Sequence, residues 1–193
     1  MTKIVGNENK LILENGDTVE YDLLAVNVGS KTKDTGGVKG VWEHGLTTRP
    51  INDLLPKIRA KEEELKAAGK IPVVAVCGGG AAGTELSFAF KKRWSEFFGQ
   101  EIKVTLIASR EEPVNNECRQ TKDQINRLLR DKKIDVVPNS TVKEVTPESV
   151  ILHNGDVIPC DVAIWATGAE PQKVSADSDL DLMKGFFRVN NFL

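Results

Sequence analysis

The hydrophobic pattern of this chain occurs twice. A short apolar run, Leu11–Leu13 or Val150–Leu152, is followed closely by an Asn-Gly pair and then by a second segment. Asn-Gly favours the left-handed dihedral angles of a tight two-residue turn, so each occurrence predicts a β-hairpin. A continuous apolar run comes next, Leu23–Val26 or Val162–Trp165. The lack of polar alternation in these runs predicts strands that are covered on both faces.

The two occurrences align without a gap. KLILENGDTVEYDLLAVNVGS, which begins at Lys10, matches SVILHNGDVIPCDVAIWATGA, which begins at Ser149. The separation of the two copies, from Lys10 to Ser149, is too long for the repeat of a solenoid or propeller. It therefore indicates duplication of a whole domain, with one copy interrupting the other. The apolar runs lead into Gly29 and Thr167-Gly168. Because a glycine there lets a ligand approach the backbone closely, we predict that these residues contact a cofactor.

Between the copies lies a glycine-rich loop with dinucleotide-binding spacing. The apolar segment Val73–Cys77 runs into Gly78-x-Gly80-x-x-Gly83. Apolar residues then recur at helical spacing, at Leu86, Phe90, Trp94 and Phe97. A strand, this loop and a helix in succession favour phosphate binding over a plain glycine-rich turn, because the helix amino terminus offers free N–H groups. The predicted pyrophosphate-binding residues are Gly78, Gly79, Gly80, Ala81, Ala82 and Gly83.

The residues after the next strand bear on the choice between NADH and NADPH. An acidic residue is expected there in an NAD site, and this chain has Ala108, Ser109 and Arg110 instead. Arg110 could pair with the 2′-phosphate of NADPH, which favours NADPH. The alternative is that Arg110 is a solvated charge and that Glu111 or Glu112 turns inward to hold NADH. On the first interpretation, Ala108→Glu should improve NADH binding.

The remaining pattern predicts an α/β domain. A helix begins near Ile51, with Pro56 in an early turn, and stops at Gly69. A second helix is predicted at Arg119–Lys132. The predicted strands around it are Ile102–Ile107 and Ile134–Val137, followed by a meander over Thr141–Pro159. The fold class is therefore α/β, a Rossmann-like doubly wound NAD(P)-binding domain with a β-meander crossover, inserted in a partial second domain.

Composition and charge narrow the function. The chain has 193 residues, 40% hydrophobic and 28% charged, with a formal net charge of −2, which gives no electrostatic case for nucleic acid. No apolar run is long enough for a membrane span and no signal-peptide pattern follows Met1, so a reducing, cytoplasmic location is expected. The cysteines Cys77, Cys118 and Cys160 and the histidines His44 and His153 form no metal-binding spacing.

These segments together resemble the pyridine nucleotide-disulfide oxidoreductase superfamily, flavoproteins in which an NAD(P)H domain interrupts an FAD domain. The resemblance rests on NGDTVEYDLLAVNVGS, VVAVCGGGAAGTELSFAF, IPCDVAIWATGAEP and GFFRVNNFL. Within the superfamily the chain looks most like the NADH dehydrogenase-like branch, especially the module attached to selenide, water dikinase. The resemblance implies a partial FAD-binding domain and linker at residues 1–50, an NAD(P)H-binding domain at 51–170 and a return segment at 171–193.

The resemblance also implies residue roles and a reaction. Gly29 would belong to the FAD side, Glu85 would lie near the nicotinamide as the candidate catalytic residue, and Thr167-Gly168 would line the junction. Glu85 has an alternative role, since a glutamate at the start of a helix complements the dipole. Hydride would pass from nicotinamide to flavin and then to a small acceptor, such as a quinone or a sulfur or selenium species.

The duplication predicts a fragment of a longer protein. The phosphate loop of the first copy would precede Met1 by about sixty residues, and the chain stops soon after the second copy. We therefore expect FAD only in the full-length parent, and self-association through the incomplete FAD domain. The alternative function is a non-enzymatic NAD(P)H sensor or docking module that lacks a working flavin half.

Overall fold

The computed structural model describes residues 1–33 and 38–191. The chain forms two compact units, one made of Met1–Lys31 with Ala169–Leu193 and one made of Thr32–Gly168. We call them the smaller unit and the larger unit.

Secondary structure within the described residues consists of short strands and three long helices. The strands are β1 Lys3–Val5, β2 Lys10–Ile12, β3 Thr18–Glu20, β4 Lys31–Thr32, β5 Gly45–Thr47, β6 Val73–Cys77, β7 Lys103–Ile107, β8 Ile134–Val137, β9 Val142–Val145, β10 Ser149–Leu152, β11 Val157–Pro159, β12 Val162–Trp165, β13 Ala169–Glu170, β14 Leu182–Met183 and β15 Phe186–Phe187. The helices are α1 Val41–His44, α2 Ile51–Ala67, α3 Ala81–Phe98, α4 Arg119–Asp131 and α5 Lys173–Ala176. A 3-10 turn spans Gly6–Glu8.

The larger unit is built on a five-stranded parallel sheet with the order β5-β12-β6-β7-β8. Its central strands β12 and β6 are buried almost throughout, as unalternating apolar strands should be. Helix α3 connects β6 to β7 and α4 connects β7 to β8, so each connection returns the chain to a parallel neighbour. The predicted α/β class with a Rossmann-like parallel sheet is confirmed.

Two hydrophobic clusters cover the two faces of this sheet. Alternate residues of β6 divide between them, with Val74 and Val76 in the cluster that contains the helices and Ala75 and Cys77 in the other. The second cluster contains residues of the antiparallel β9–β10–β11 meander, including Val142, Val145, Val150 and Leu152. The sheet is therefore covered on both sides, by helices and by the meander.

A buried carboxylate joins α2 to α3. Glu62 accepts hydrogen bonds from Nε and Nη2 of Arg93, at 3.0 and 2.9 Å, and from Nε1 of Trp94 at 2.7 Å. Glu62 thus joins α2 to α3, the helix that begins at the glycine-rich loop.

Helix α2 ends at Ala67, just before Gly69, which has φ of +63° and confirms the predicted stop.

Both predicted hairpins form, but their turns are longer than predicted. In each, the amide of the glycine bonds the residue three before it, Gly16 to Leu13 and Gly155 to Leu152. Only the glycine of each Asn-Gly pair has a positive φ, +88° and +92°. The prediction of two-residue turns was therefore wrong. Each loop is a type I turn followed by a left-handed glycine.

The smaller unit contains the antiparallel sheet β1-β2-β3 and helix α5. The segment after α5 bonds to the first strand, since Ser178 Oγ accepts from the Ile4 amide at 2.9 Å and Asp179 accepts from the Gly6 amide at 2.6 Å. Strands β14 and β15 form a hairpin from the predicted return segment. The last two residues of that segment, Phe192 and Leu193, lie outside the described residues.

The strand predicted at Leu23–Val26 is absent. No strand is assigned between residues 21 and 30, and Leu23 is 91% exposed. The matching run Val162–Trp165 is a strand because β5 and β6 bond to its two sides. Leu23–Val26 has no such neighbours among the described residues, so its apolar sequence alone does not produce a strand.

Unit boundaries differ from the predicted borders at residues 51 and 170. The larger unit begins at Thr32. It includes Gly45–Thr47, which pairs in parallel with β12 and is part of the main sheet. Ala169–Glu170 is grouped with the smaller unit. Part of the predicted glycine- and lysine-rich connection at Lys31–Trp42, residues 34–37, lies outside the described residues.

Candidate functional site

The turn between β6 and α3 contains two positions, Gly78 and Gly83, where contacts within the protein leave no room for a side chain. Gly78 has φ of +127°, donates its amide to Ile107 O at 2.9 Å, and would place a Cβ 2.6 Å from Ala166 O. A Cβ at Gly83 would overlap the carbonyl oxygen of Gly78. Gly78 therefore allows the tight turn, and Gly83 allows α3 to pack closely on it.

Gly80 is different, because neither its backbone conformation nor any contact within the protein requires a glycine at this position. Its φ of −77° and ψ of −177° suit any residue, and no protein atom lies within 4 Å of an added Cβ. Gly80, Ala81 and Ala82 are exposed at the start of an 18-residue helix, where amides of the first turn lack intrahelical acceptors. Open space with free N–H groups at the positive end of a helix fits a phosphate group.

Three buried side-chain polar atoms in the described part of the chain have no hydrogen-bond partner. They are Oγ1 of Thr84, Nε1 of Trp165 and Oγ1 of Thr167. Thr84 lies in the first turn of α3, and its amide bonds to Gly80 O at 3.0 Å. Trp165 and Thr167 line a cavity together with Gly78. Buried polar groups normally have partners, so their concentration around one loop indicates that a ligand completes the site.

Of the two cavities beside the glycine-rich loop, the larger, of about 610 Å³, lies where the parallel strands end. Cys77, Ile107 and Trp165, the last residues of three strands, contribute to its wall. The meander side adds Val142 and His153. Open α/β sheets bind ligands at the carboxyl ends of their strands, and this volume is in the range of small-molecule sites.

A smaller cavity, of about 210 Å³, lies beside Gly79 and Gly80. Its polar lining includes Ser109, Arg110 and two residues that sequence reasoning missed, Asn115 and Asn116. Ser109 also lines the larger cavity, so it lies between the two. The structure therefore brings the predicted loop residues and the predicted selectivity residues together.

The environment of Ala108 excludes the predicted benefit of a glutamate there. Ala108 is fully buried, and a Cβ at Gly79 would lie 2.5 Å from its Cβ. Its amide and carbonyl bond to Val137 O and the Ser140 amide, both at 2.9 Å. A longer side chain would clash, so an added carboxylate belongs at exposed Ser109 instead.

The two acidic residues of the NADH alternative have different environments. Glu111 is exposed. Glu112 borders the smaller cavity, but its carboxylate contacts Arg119 and Lys122 at 3.3 Å and accepts a hydrogen bond from Asn126 at 3.0 Å. Since these partners belong to α4, Glu112 is held toward that helix rather than free for a ribose.

The other predicted site residues lie at exposed or half-buried positions. Glu85 is exposed and is the fifth residue of α3, so it lies just beyond the first turn in which a charge complements the dipole. Gly168 has φ of +26°, and its carbonyl is 3.5 Å from Nη1 of Arg49. Gly29, in the smaller unit, is exposed with φ of +64°.

Cysteine environments agree with structural roles for two of the three thiols. Burial raises the pKa of Cys77, and burial raises the pKa of Cys160 to about 11. Cys118 is exposed and precedes α4, where a hydrogen bond with Thr121 lowers its pKa. Across residues 1–33 and 38–191, no cluster of His, Cys, Asp or Glu could hold a metal, and none of the helices there could cross a membrane.

Comparison with known proteins finds similarity along the whole chain. Residues 1–193 match the family described as pyridine nucleotide-disulphide oxidoreductase. A probable NADH dehydrogenase of Dictyostelium discoideum is 30% identical over 174 residues, covering 78% of this chain and 37% of that protein. A demethylphylloquinone reductase of Synechocystis is 26% identical over 176 residues, covering 87% of this chain and 42% of that protein.

Solved structures share the fold at lower sequence identity. NDH2 of Plasmodium falciparum in complex with NADH aligns with a TM-score of 0.72 at 22% identity, over 92% of this chain and 41% of that one. A ferredoxin reductase of Rhodopseudomonas palustris aligns with a TM-score of 0.75 at 18% identity, over 95% of this chain and 44% of that one. The chain thus spans less than half the length of each protein named here.

Proposed function

Because this chain belongs to the pyridine nucleotide-disulphide oxidoreductase family, we propose that its larger unit binds NAD(P)H and delivers hydride to FAD in a complete protein. The observation that carries this proposal is Gly80, whose open surroundings have no internal explanation. The pyrophosphate would lie over residues 79–83, on the amides that begin α3. The adenosine ribose would lie at Ser109, between the two cavities.

The direction of selectivity follows from the smaller cavity. Arg110, Asn115 and Asn116 offer a guanidinium and two amides beside Gly80, which suits a 2′-phosphate. Glu112 is engaged by α4, which weakens the NADH alternative. We therefore propose a preference for NADPH, with NADH accepted more weakly.

The residues of this chain would bind and orient the nicotinamide, while the flavin, when bound, supplies the electron-accepting chemistry. Glu85 and the Thr167-Gly168 backbone are proposed to position the nicotinamide half. The acceptor that follows is proposed to be a quinone or a sulfur or selenium species. Relatives named NADH dehydrogenase and demethylphylloquinone reductase favour a quinone, whereas the resemblance to the module attached to selenide, water dikinase favours selenium.

The smaller unit is proposed to be part of the FAD-binding domain, with Gly29 on its flavin side, and the larger unit to be the inserted domain. Exposed apolar residues of the smaller unit, such as Leu23, Met183 and Val189, support self-association or pairing with the rest of such a domain. We propose that this 193-residue chain holds FAD poorly. Stoichiometric flavin absorbance in the purified chain would contradict this.

One observation favours the second candidate, a non-enzymatic NAD(P)H-binding module. The segment that leads to Gly29 forms no strand, and Leu23 within it is almost fully exposed. A flavin contact at Gly29 would require that strand to be in place. If the complete protein also lacks it, the larger unit would bind the nucleotide without passing electrons on.

Calorimetric titration of the full chain with NADH and NADPH tests nucleotide binding. Gly80→Val should abolish it, because the side chain would occupy the space for the pyrophosphate. Folding should change by less than about 1 kcal/mol, the scale of a substitution at the position before a helix. Ala89→Val, at an exposed position further along the same helix, is the matched control and should bind normally. Binding by Gly80→Val equal to that of the parent chain would refute the proposed phosphate site.

A further inference from the structure

A cavity of about 760 Å³ lies between α3 and α4, away from the glycine-rich loop. Its walls come from residues 88–96 of α3, from residues 128–133 at the end of α4, and from Glu101, two residues before β7. We call it the α3–α4 cavity. Because β7 and β8 begin here, the cavity lies at the amino ends of the parallel strands, whereas the proposed nucleotide site lies at their carboxyl ends. Its volume is in the range of small-molecule sites.

Lys91 is nearly buried in the wall of this cavity, and its ammonium group is not fully hydrogen bonded. The residue is 9% exposed. Its Nζ atom donates to the Ile102 carbonyl oxygen at 2.6 Å and pairs with Oε1 of Glu101. An ammonium group has three N–H donors, so one donor of Lys91 has no acceptor among the described residues. Because an unmet donor on a buried charge is costly, an acceptor from outside the protein would stabilise it.

A single carboxylate serves two of the lysines at this cavity. Oε1 of Glu101 lies 3.2 Å from Nζ of Lys91, and Oε2 lies 3.0 Å from Nζ of Lys133. Hydrogen bonds from Lys133 and Lys91 lower the pKa of Glu101, so the carboxylate is ionised at neutral pH. One negative charge therefore faces two positive charges.

The other charged residues of the lining do not cancel this surplus. They are two lysines and two acidic residues, and none of the four forms an ion pair in the described part of the chain: Lys92, Lys132, Glu96 and Asp131. With four lysines and three acidic residues, the lining has a net charge of +1. The dipole of α4 accounts for lysines at its carboxyl-terminal end, but not for Lys91, which lies in the middle of α3.

Apolar groups complete the lining. Phe88 and Leu128 are half-buried at this cavity, and Phe88 packs against the core cluster that contains the helices. The methylene groups of the lysine side chains add further apolar surface. We propose that the α3–α4 cavity binds a small organic anion with one carboxylate and an apolar body. The carboxylate would accept from Lys91, with Lys92 beside it, and the apolar body would lie on Phe88 and Leu128.

Titration of the ¹⁵N-labelled full chain with octanoate, followed by its backbone amide signals, tests this site. Signals of residues 88–96 and 128–133 should shift and reach saturation. Octylammonium has the same apolar body with the opposite charge, and acetate has the same charge without that body, so neither should cause these shifts at the same concentration. Equal shifts with octylammonium would show an apolar surface only, and equal shifts with acetate would show a simple anion site. Either result, or no shift with octanoate, would overturn the inference.

Two charge variants should change octanoate affinity in opposite directions. Lys92→Gln removes an unpaired lysine and should weaken binding about two- to fivefold, whereas Glu101→Gln frees Lys91 and Lys133 and should strengthen it by a similar factor. Lys143→Gln is the matched control, because it removes an exposed lysine of the meander, outside the cavity, and should leave affinity unchanged. Melting temperatures show whether each variant is folded. Unchanged or weaker binding in Glu101→Gln, or equal losses in the two lysine variants, would refute the proposed contacts.

The same titration in the presence of NADPH separates this inference from the proposed function. Octanoate should bind equally well with and without NADPH, because the two sites lie at opposite ends of the strands. Displacement of octanoate by NADPH would place it in the nucleotide site and overturn the inference. If octanoate binds as described but no nucleotide does, the proposed function fails and the α3–α4 site stands.

Discussion

Loss of Arg93 should destabilise the protein more than neutralising its partner Glu62. The Glu62 side chain is 4% exposed, while that of Arg93 is 60% exposed. Arg93→Ala would leave a buried carboxylate with one neutral donor, the Trp94 indole. Breaking a buried ion pair typically costs about 3–5 kcal/mol. Because the guanidinium is exposed, water can replace part of its hydrogen bonding to Glu62. We therefore expect Arg93→Ala to lower the free energy of unfolding by about 2–3 kcal/mol.

Glu62→Gln should cost only about 1 kcal/mol, because the amide oxygen can still accept from Trp94 and the exposed Arg93 can be solvated. The double variant should therefore be more stable than Arg93→Ala alone. Urea denaturation followed by tryptophan fluorescence gives these free energies of unfolding. The reasoning is refuted if Arg93→Ala costs less than 1 kcal/mol, or if adding Glu62→Gln to it brings no recovery.

Further predictions concern the loop, the selectivity residues and the exposed thiol. Gly83→Ala should unfold or strongly destabilise the chain, seen as a lower melting temperature, because its Cβ overlaps the loop backbone. Arg110→Ala should weaken NADPH about tenfold or more and NADH little, and Ser109→Glu should reverse the preference, both measured by calorimetry. Iodoacetamide should alkylate Cys118 before the buried Cys77 and Cys160, because Cys118 is exposed and its hydrogen bond with Thr121 lowers its pKa. Thr121→Ala should slow the reaction, and preferential labelling of the buried thiols would contradict the prediction.

Features coded locally could be predicted from the sequence. The turn at Gly78 and the close packing at Gly83 depend on a few adjacent residues, and the structure places both as the spacing indicates. The parallel sheet followed from unalternating apolar runs separated by helices. Local preference was not enough for Leu23–Val26, because a strand exists only where neighbouring strands accept its hydrogen bonds.

Features that depend on distant residues were missed. Nothing near Ala108 in sequence shows that Gly79 lies against its side chain. Trp165 reads as an ordinary core residue, and its unpaired N–H is visible only when the cavity around it is known. Asn115 and Asn116 reach the site through a loop with no periodic pattern. A tryptophan at the end of an otherwise aliphatic strand, whose indole N–H needs an acceptor when it is buried, is a sequence signal that could have pointed to this cavity.

The order of strands in the main sheet has a consequence for how the chain folds. Strand β12 comes last in sequence among the five, yet it lies between β5 and β6. During synthesis β6, β7 and β8 can associate early, while β5 waits for its one hydrogen-bonded neighbour in that sheet. Such late, long-range pairing is slow and leaves an open edge exposed meanwhile. We expect a ribosome-bound chain ending at residue 161 to be sensitive to protease at β5, and one that includes β12 to be protected.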